Sequence, residues 1–221
     1  MVEHEIVIEK KEAISELELE RGEYRFKIKK ALHELPPQST LYLDATRLYY
    51  AEPSFWEETI VPFLFYSDTR GWPHPVSKGK HLIIKTSRLQ IIKSLEQAVN
   101  DYKTLIIQLD EKGVLRVVGK SFSPAEKDVF VVIMANNKPV IVEEIAELTG
   151  IKLDACRARL RKLYYCGLIS RENYHSLNPP GRPRHSYFPY WPQNSQFWPG
   201  EPLKWEINVP DKNIMTFSNK S

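Results

Sequence analysis

Cysteine is scarce in this 221-residue chain: Cys156 and Cys166 are its only two. Two thiols are too few for a zinc cluster or a disulfide framework, and they read as reduced cysteines. Glycine is scarce as well, at nine residues, and they are scattered, so no glycine-rich loop is present to cradle a phosphate. No run of apolar residues is long enough for a transmembrane helix. The opening Met1-Val2-Glu3-His4-Glu5 lacks the basic-then-apolar order of a signal peptide. The six histidines, at 4, 33, 74, 81, 175 and 185, never pair at i and i+4. Asp44 and Asp110 each end a strand-like run, but two separated acids make a poor nuclease signature. No catalytic residue, metal or cofactor is therefore expected.

What is present suits a folded protein of one large or two small domains. Apolar residues make up 42% and charged residues 27%, enough of each for a core and a solvated surface. The net charge of +3 says little, but its distribution says more. Residues 1–119 hold 17 Lys and Arg against 18 Asp and Glu, whereas residues 152–185 hold 8 against 2. A short segment of net +6 is the kind of local field that attracts a phosphate backbone.

The first half alternates strand-like and helix-like runs. Ile14 to Glu20 alternates apolar and acidic residues, which predicts a half-buried strand. Tyr24, Ile28, Ala31, Leu32 and Leu35 recur at helical spacing, although Phe26 breaks that face and leaves strand open. Leu41 to Leu48 reads as a strand and Pro53 to Tyr66 as a helix, with Ser54 and Glu57 at capping-box spacing. His81–Lys85 reads as a strand, and Arg88–Asp101 as a helix with Leu89, Ile92, Leu95 and Val99 on one stripe. A hairpin over Leu105–Leu109 and Val114–Val118 completes an α/β layer domain, 1–119.

Gly119 to Ser123 is the best boundary. Ser123-Pro124-Ala125-Glu126 combines a capping serine, proline at the first helical position and a glutamate closing the box. Helices are expected to Ala135, over Val142–Thr149 and over Leu153–Tyr165, followed by strands Leu168–Glu172 and His185–Phe188. Helix, helix, turn, helix, strand, loop, strand is the order of a helix-turn-helix with a β-hairpin wing. Glu143 to Glu172 resembles the winged helix-turn-helix transcription regulators of bacteria and archaea. The matching positions are Ile145-Ala146, Gly150, Leu160, Leu163 and Gly167-Leu168. Gly181-Arg182-Pro183-Arg184 followed by Tyr187 is similar to their wing tip, and to the core of an AT-hook.

On the third helix, Cys156, Leu160 and Leu163 share an inward stripe, while Asp154, Arg157, Ala158 and Arg161 share another face. Arg157 and Arg161 are the expected base readers, because arginine binds guanine O6 and N7 bidentately. Arg159 and Lys162 suit phosphates, and Arg182 and Arg184 suit a narrow minor groove. A solvated basic surface is the plainer alternative.

Leu41-Tyr42-Leu43-Asp44-Ala45, leading through Ala51-Glu52-Pro53-Ser54-Phe55 into a helix, resembles STAS-like domains, those related to anti-sigma-factor antagonists. That resemblance implies Ser54 as a regulatory residue. Here Glu52-Pro53-Ser54-Phe55 replaces the usual Asp-Ser-Ser-Gly type, and a helix N-cap explains Ser54 more simply. The tail, 191–221, carries Trp191, Phe197, Trp198, Trp205 and Phe217 and must bury them. A contact with a second subunit is expected slightly ahead of a return to the first domain.

The expectation is thus a cytoplasmic, nucleoid-associated regulator with three parts. They are a STAS-like domain (1–119), a winged helix-turn-helix (120–190) and an aromatic, proline-rich tail. Its partners are double-stranded DNA, a second copy as a homodimer, and any protein that docks on the first domain, with no membrane contact. The competing expectation is a protein-interaction adaptor, or a DNA-associated subunit of a defence, signalling or mobile-element system.

Overall fold

The computed structural model describes residues 3–8, 17–64, 77, 79–120, 122–136, 138–174, 184–190, 203–208 and 214–218. Side chains are described at all of these except 17–20, 173, 174 and 184. Strands β1 (Glu3–Val7), β2 (Thr40–Asp44), β3 (His81–Lys85) and β4 (Ile106–Leu109) lie parallel in that order. β5 (Val114–Val118) returns antiparallel to β4. The turn between them is held by Asp110, whose Oδ1 accepts the amides of Lys112 and Val114 at 2.8 and 2.9 Å.

Strands β2 to β4 are buried on both faces, and their side chains alternate between two cores. Leu41, Leu43, Leu82, Ile84 and Ile106 pack on one side. They meet Ile28 and Leu32 of α1 (Leu17–Glu34), Phe55 and Trp56 of α2 (Pro53–Thr59), and Ile91 and Leu95 of α3 (Leu89–Asp101). Tyr42, Ile83 and Ile107, one residue out of step, join a second core on the other side.

That second core belongs to the next stretch of chain. α4 (Pro124–Ala135), β6 (Val140–Ile141), α5 (Val142–Thr149), α6 (Leu153–Tyr165), β7 (Ile169–Tyr174) and β8 (Arg184–Pro189) follow one another. Their strands form a separate sheet in the order β6-β8-β7. Phe130, Ile145, Leu160, Leu163 and Ile169 then share one buried cluster with Tyr42, Ile83 and Ile107 of the first sheet. The α4 start is capped as the sequence predicts: Ser123 Oγ accepts the Glu126 amide, and Glu126 Oε2 accepts the Ser123 amide.

A polar seam joins the two layers. His81, on β3, stacks on Tyr190 with centroids 3.5 Å apart and planes 7° from parallel. Its Nδ1 lies 2.7 Å from the carbonyl of Gly167. A carbonyl only accepts, so Nδ1 carries the proton, and Nε2 accepts from Ser170 Oγ at 3.4 Å. Tyr190 reaches the Thr40 hydroxyl, and Gln38 Nε2 donates to the Arg171 carbonyl at 2.7 Å. Gly167 has a positive φ of 70°, and a Cβ there would stand 3.1 Å from the Lys80 carbonyl and 3.3 Å from His81 Cα. Glycine lets the turn after α6 approach β3 this closely.

The chain then returns to the large sheet. β9 (Lys204–Asn208) pairs parallel with β5, and β10 (Ile214–Ser218) pairs antiparallel with β9. The result is a mixed seven-stranded sheet, order β1-β2-β3-β4-β5-β9-β10. No helix among the described residues is long and apolar enough to cross a membrane.

Several local expectations need correction. Leu17–Glu20 is the start of α1, not strand, because glutamate, leucine and arginine are strong helix formers and the helical face begins at Tyr24. Ile14 to Ser15 lies outside the described residues. Phe26 stays in the helix, 67% exposed. β2 stops at Asp44, and α2 stops at Thr59 before a 3-10 turn over Val61–Phe63. The buried stripe of α3 is Ile91, Leu95, Ala98 and Val99, while Leu89 is 63% exposed. The tail also differs. Trp205 is fully buried in the chain's own second core, and its Nε1 donates to the Tyr190 carbonyl at 3.1 Å. Trp205 therefore needs no second subunit for cover; Trp191, Phe197 and Trp198 lie outside the described residues.

Candidate nucleic-acid interface

α5 and α6 meet at Gly150, whose left-handed φ of 68° turns the chain. The Gly150 and Ile151 amides return to the carbonyls of Glu147 and Ala146 and close the end of α5. α6 then lies with Cys156, Leu160 and Leu163 fully buried. Three such side chains, each worth ~1.5–3 kcal/mol when apolar and large, fix the helix's rotation about its axis. That rotation leaves Asp154, Arg157, Ala158 and Arg161 exposed as one stripe, with Arg159 half-buried beside it.

Arg157 Nη1 donates to Asp154 Oδ1 at 3.0 Å, and its Nη2 stands 3.9 Å from Glu143 of α5. Both pairs are exposed and worth at most ~1 kcal/mol, so the guanidinium is free to turn outward. Arg157 and Arg161 are four residues apart, about 6 Å along the helix axis. Base steps on one strand are spaced by about 3.4 Å, so the two arginines address bases within a two-step span. Glu144, Glu147 and Leu148 are exposed on α5, which makes its outer side a poor neighbour for phosphates and confines the basic surface to α6.

Lys162 has a different setting. Its Nζ pairs with Glu126, 2.9 Å from Oε1 and 3.0 Å from Oε2, with the two side chains 18% and 11% exposed. The same carboxylate closes the α4 capping box, so Lys162 ties α6 to the first turn of α4. Reaching a phosphate means leaving that partner. Lys162→Met is accordingly expected to cost about 1–2 kcal/mol in urea denaturation, against under about 0.5 kcal/mol for Arg159→Ala. Equal small losses would show that the pair contributes nothing.

Arg182 lies outside the described residues, and of Arg184 only the backbone is described, at the start of β8. The thiols are shielded: burial raises Cys156 and pushes Cys166 up to about 12, against a smaller opposing pull from nearby cations.

On the first layer, Ser54 is not the N-cap of α2; Glu52 is, without a side-chain cap bond, because Pro53 takes the first helical position. Ser54 Oγ instead accepts from Arg21 Nη2 at 3.2 Å, and Arg21 also pairs with Glu58 at 3.0 Å. Asp44 and Asp110 are both occupied. Burial alone would raise the Asp44 carboxyl, but hydrogen bonds from Thr46 and the Lys85 ammonium hold it below the usual range. For Asp110, burial is outweighed in the same way by the Val114 amide and Arg116.

Residue-level reading of the sequence missed Glu126 and Glu143 as partners of the basic helix, and it missed His81 at the seam. Their partners come from other elements, so no spacing signal marks them. No protein-family model matches the chain, and no curated protein or solved structure does.

Proposed function

We propose that the chain is a sequence-specific DNA-binding transcriptional regulator, a repressor acting as a dimer. α4 to α6 with β6 to β8 serve as the winged helix-turn-helix. α6 enters the major groove and the segment 178–184, between β7 and β8, the minor groove. The observation that carries this reading is the outward stripe of Arg157, Ala158 and Arg161 on a helix whose opposite side is locked into the core. Arg157 and Arg161 read bases, Arg159 meets a phosphate, and Arg182 and Arg184 follow the minor groove. The STAS-like first layer supplies the dimer or partner surface. Ser54 is its candidate regulatory residue, with Arg21 as the cation a phosphate there would meet.

The test is fluorescence anisotropy of the full chain on its own upstream duplex and on a scrambled one, across salt. Binding is expected to weaken steeply with salt and to favour the upstream duplex. Arg157→Ala and Arg161→Ala should each cost ~1–3 kcal/mol on the preferred duplex, roughly tenfold to a hundredfold, with much smaller losses on the scrambled one. Equal losses on both duplexes would sink the assignment of base readers. Absence of binding at low salt would favour the adaptor reading, which the mixed surface of Glu144, Glu147, Leu148 and Arg157 supports.

A further inference from the structure

Where β5, β9 and β10 meet the start of α4, the surface opens into a cleft of about 500 Å³. That is within the range of small-ligand sites. Its apolar lining is Val117, Phe122, Ile207 and Ile214. Arg116 and Glu206 also line it but neutralise each other, with Nε and Nη2 donating to one carboxylate oxygen at 2.9 and 2.7 Å. Lys120 and Lys127 are different: among the described residues neither has a carboxylate partner. Lys127 Nζ stands 6.0 Å from the centre of the Phe122 ring. Glu96 completes the charged lining, so unpaired cations outnumber unpaired acids two to one.

We propose that this cleft is an effector site for a small amphipathic organic anion, an aromatic or short acyl body bearing a carboxylate or sulfonate, and that its occupancy is transmitted to α6. The anionic end lies between Lys120 and Lys127, and the body covers Phe122 and Ile207. An inorganic anion would leave the apolar lining wet, and a neutral ligand would leave two lysines unmatched. Transmission follows from position. Phe122 and Lys127 bracket the Ser123–Glu126 capping box, and Glu126 carries the ion pair to Lys162 of α6. A ligand that engages Lys127 therefore acts on the one turn of α4 to which α6 is tied. It shifts α6 only as far as it binds the two arrangements with different affinity. The site stands apart from any nucleic acid; the use made of it rests on the DNA-binding reading above.

The probe is 1-anilinonaphthalene-8-sulfonate, an aromatic sulfonate, titrated into the full chain. Saturable one-to-one fluorescence enhancement is expected, displaced by octanoate and weakened at least tenfold in the Lys120→Ala/Lys127→Ala variant. Lys93→Ala, an exposed lysine on α3, should change nothing. Amide hydrogen exchange with and without the probe should slow in the first turn of α4 and in Leu153–Tyr165. The second effect should vanish in Lys162→Met, which binds the probe unchanged. Unsaturable binding, or equal affinity in the double lysine variant, overturns the site. Saturable binding with unaltered exchange in α6 overturns the transmission. None of these readouts contains DNA, so a chain that binds no duplex sinks the regulator reading without touching this one.

Discussion

Trp205→Ala is expected to cost about 3–5 kcal/mol of stability, the range for a large aromatic removed from a packed core. The indole is fully buried, meets Phe130 edge-on at 5.3 Å and donates to the Tyr190 carbonyl. Truncation leaves a cavity among side chains from the large sheet and from α4 at once, and it also leaves that carbonyl without its donor. For a chain of this size the loss corresponds to a fall in melting temperature on the order of 10 °C. Urea denaturation followed by near-ultraviolet circular dichroism measures it. Because one cluster spans both layers, the two should unfold in a single transition. A loss below about 1 kcal/mol, or two separate transitions, would show that the tail does not complete the core.

Acid should weaken the protein through His81. Burial drives its pKa down from 6.5 to about 4, against a smaller opposing effect of its hydrogen bond to the Gly167 carbonyl. The unfolded chain therefore takes up this proton first as pH falls. The stabilising difference is fully present above about 6.5 and drains away between 6.5 and 4. A shift of that size corresponds to about 3 kcal/mol. Burial also lowers His185, and that group acts in the same direction. The informative quantity is thus the difference between the parent and His81→Gln, each measured by urea denaturation from pH 7.5 to 4. The variant should be less stable at neutral pH, having lost the stack on Tyr190, yet fall less steeply on acidification. Parallel slopes would falsify the assignment of the acid loss to His81.

Legibility in the sequence followed the range of the interaction. The α4 start could be read because Ser123, Pro124 and Glu126 complete one another within four residues. The outward stripe of α6 could be read because helical spacing alone separates Cys156, Leu160 and Leu163 from Arg157 and Arg161. Where two rules compete locally, reading failed: alternating Leu and Glu over residues 17–20 matches a strand by period and a helix by propensity, and the helix prevails. The return of β9 was hidden differently. Trp205 and Ile207 do alternate with Lys204, Glu206 and Asn208, but the strand's partner, β5, lies some ninety residues upstream. Glu126 and Lys162 meet on two helices 36 residues apart, and a count of charges treats both as ordinary surface.

The parallel pairing of β9 with β5 makes everything from α4 to β8 a single crossover connection. A parallel pair cannot be joined by a tight turn and requires a dozen or more residues to travel back along the strand. The basic helix and its small sheet are therefore not a cassette appended to an end. A lineage that discarded them would have to install a substitute crossover, such as a plain helix, or forfeit β9 and β10 together. Recombination at the boundary near Ser123 alone would strand half a sheet, and successful exchange needs two coordinated breakpoints, one on each side of the inserted unit.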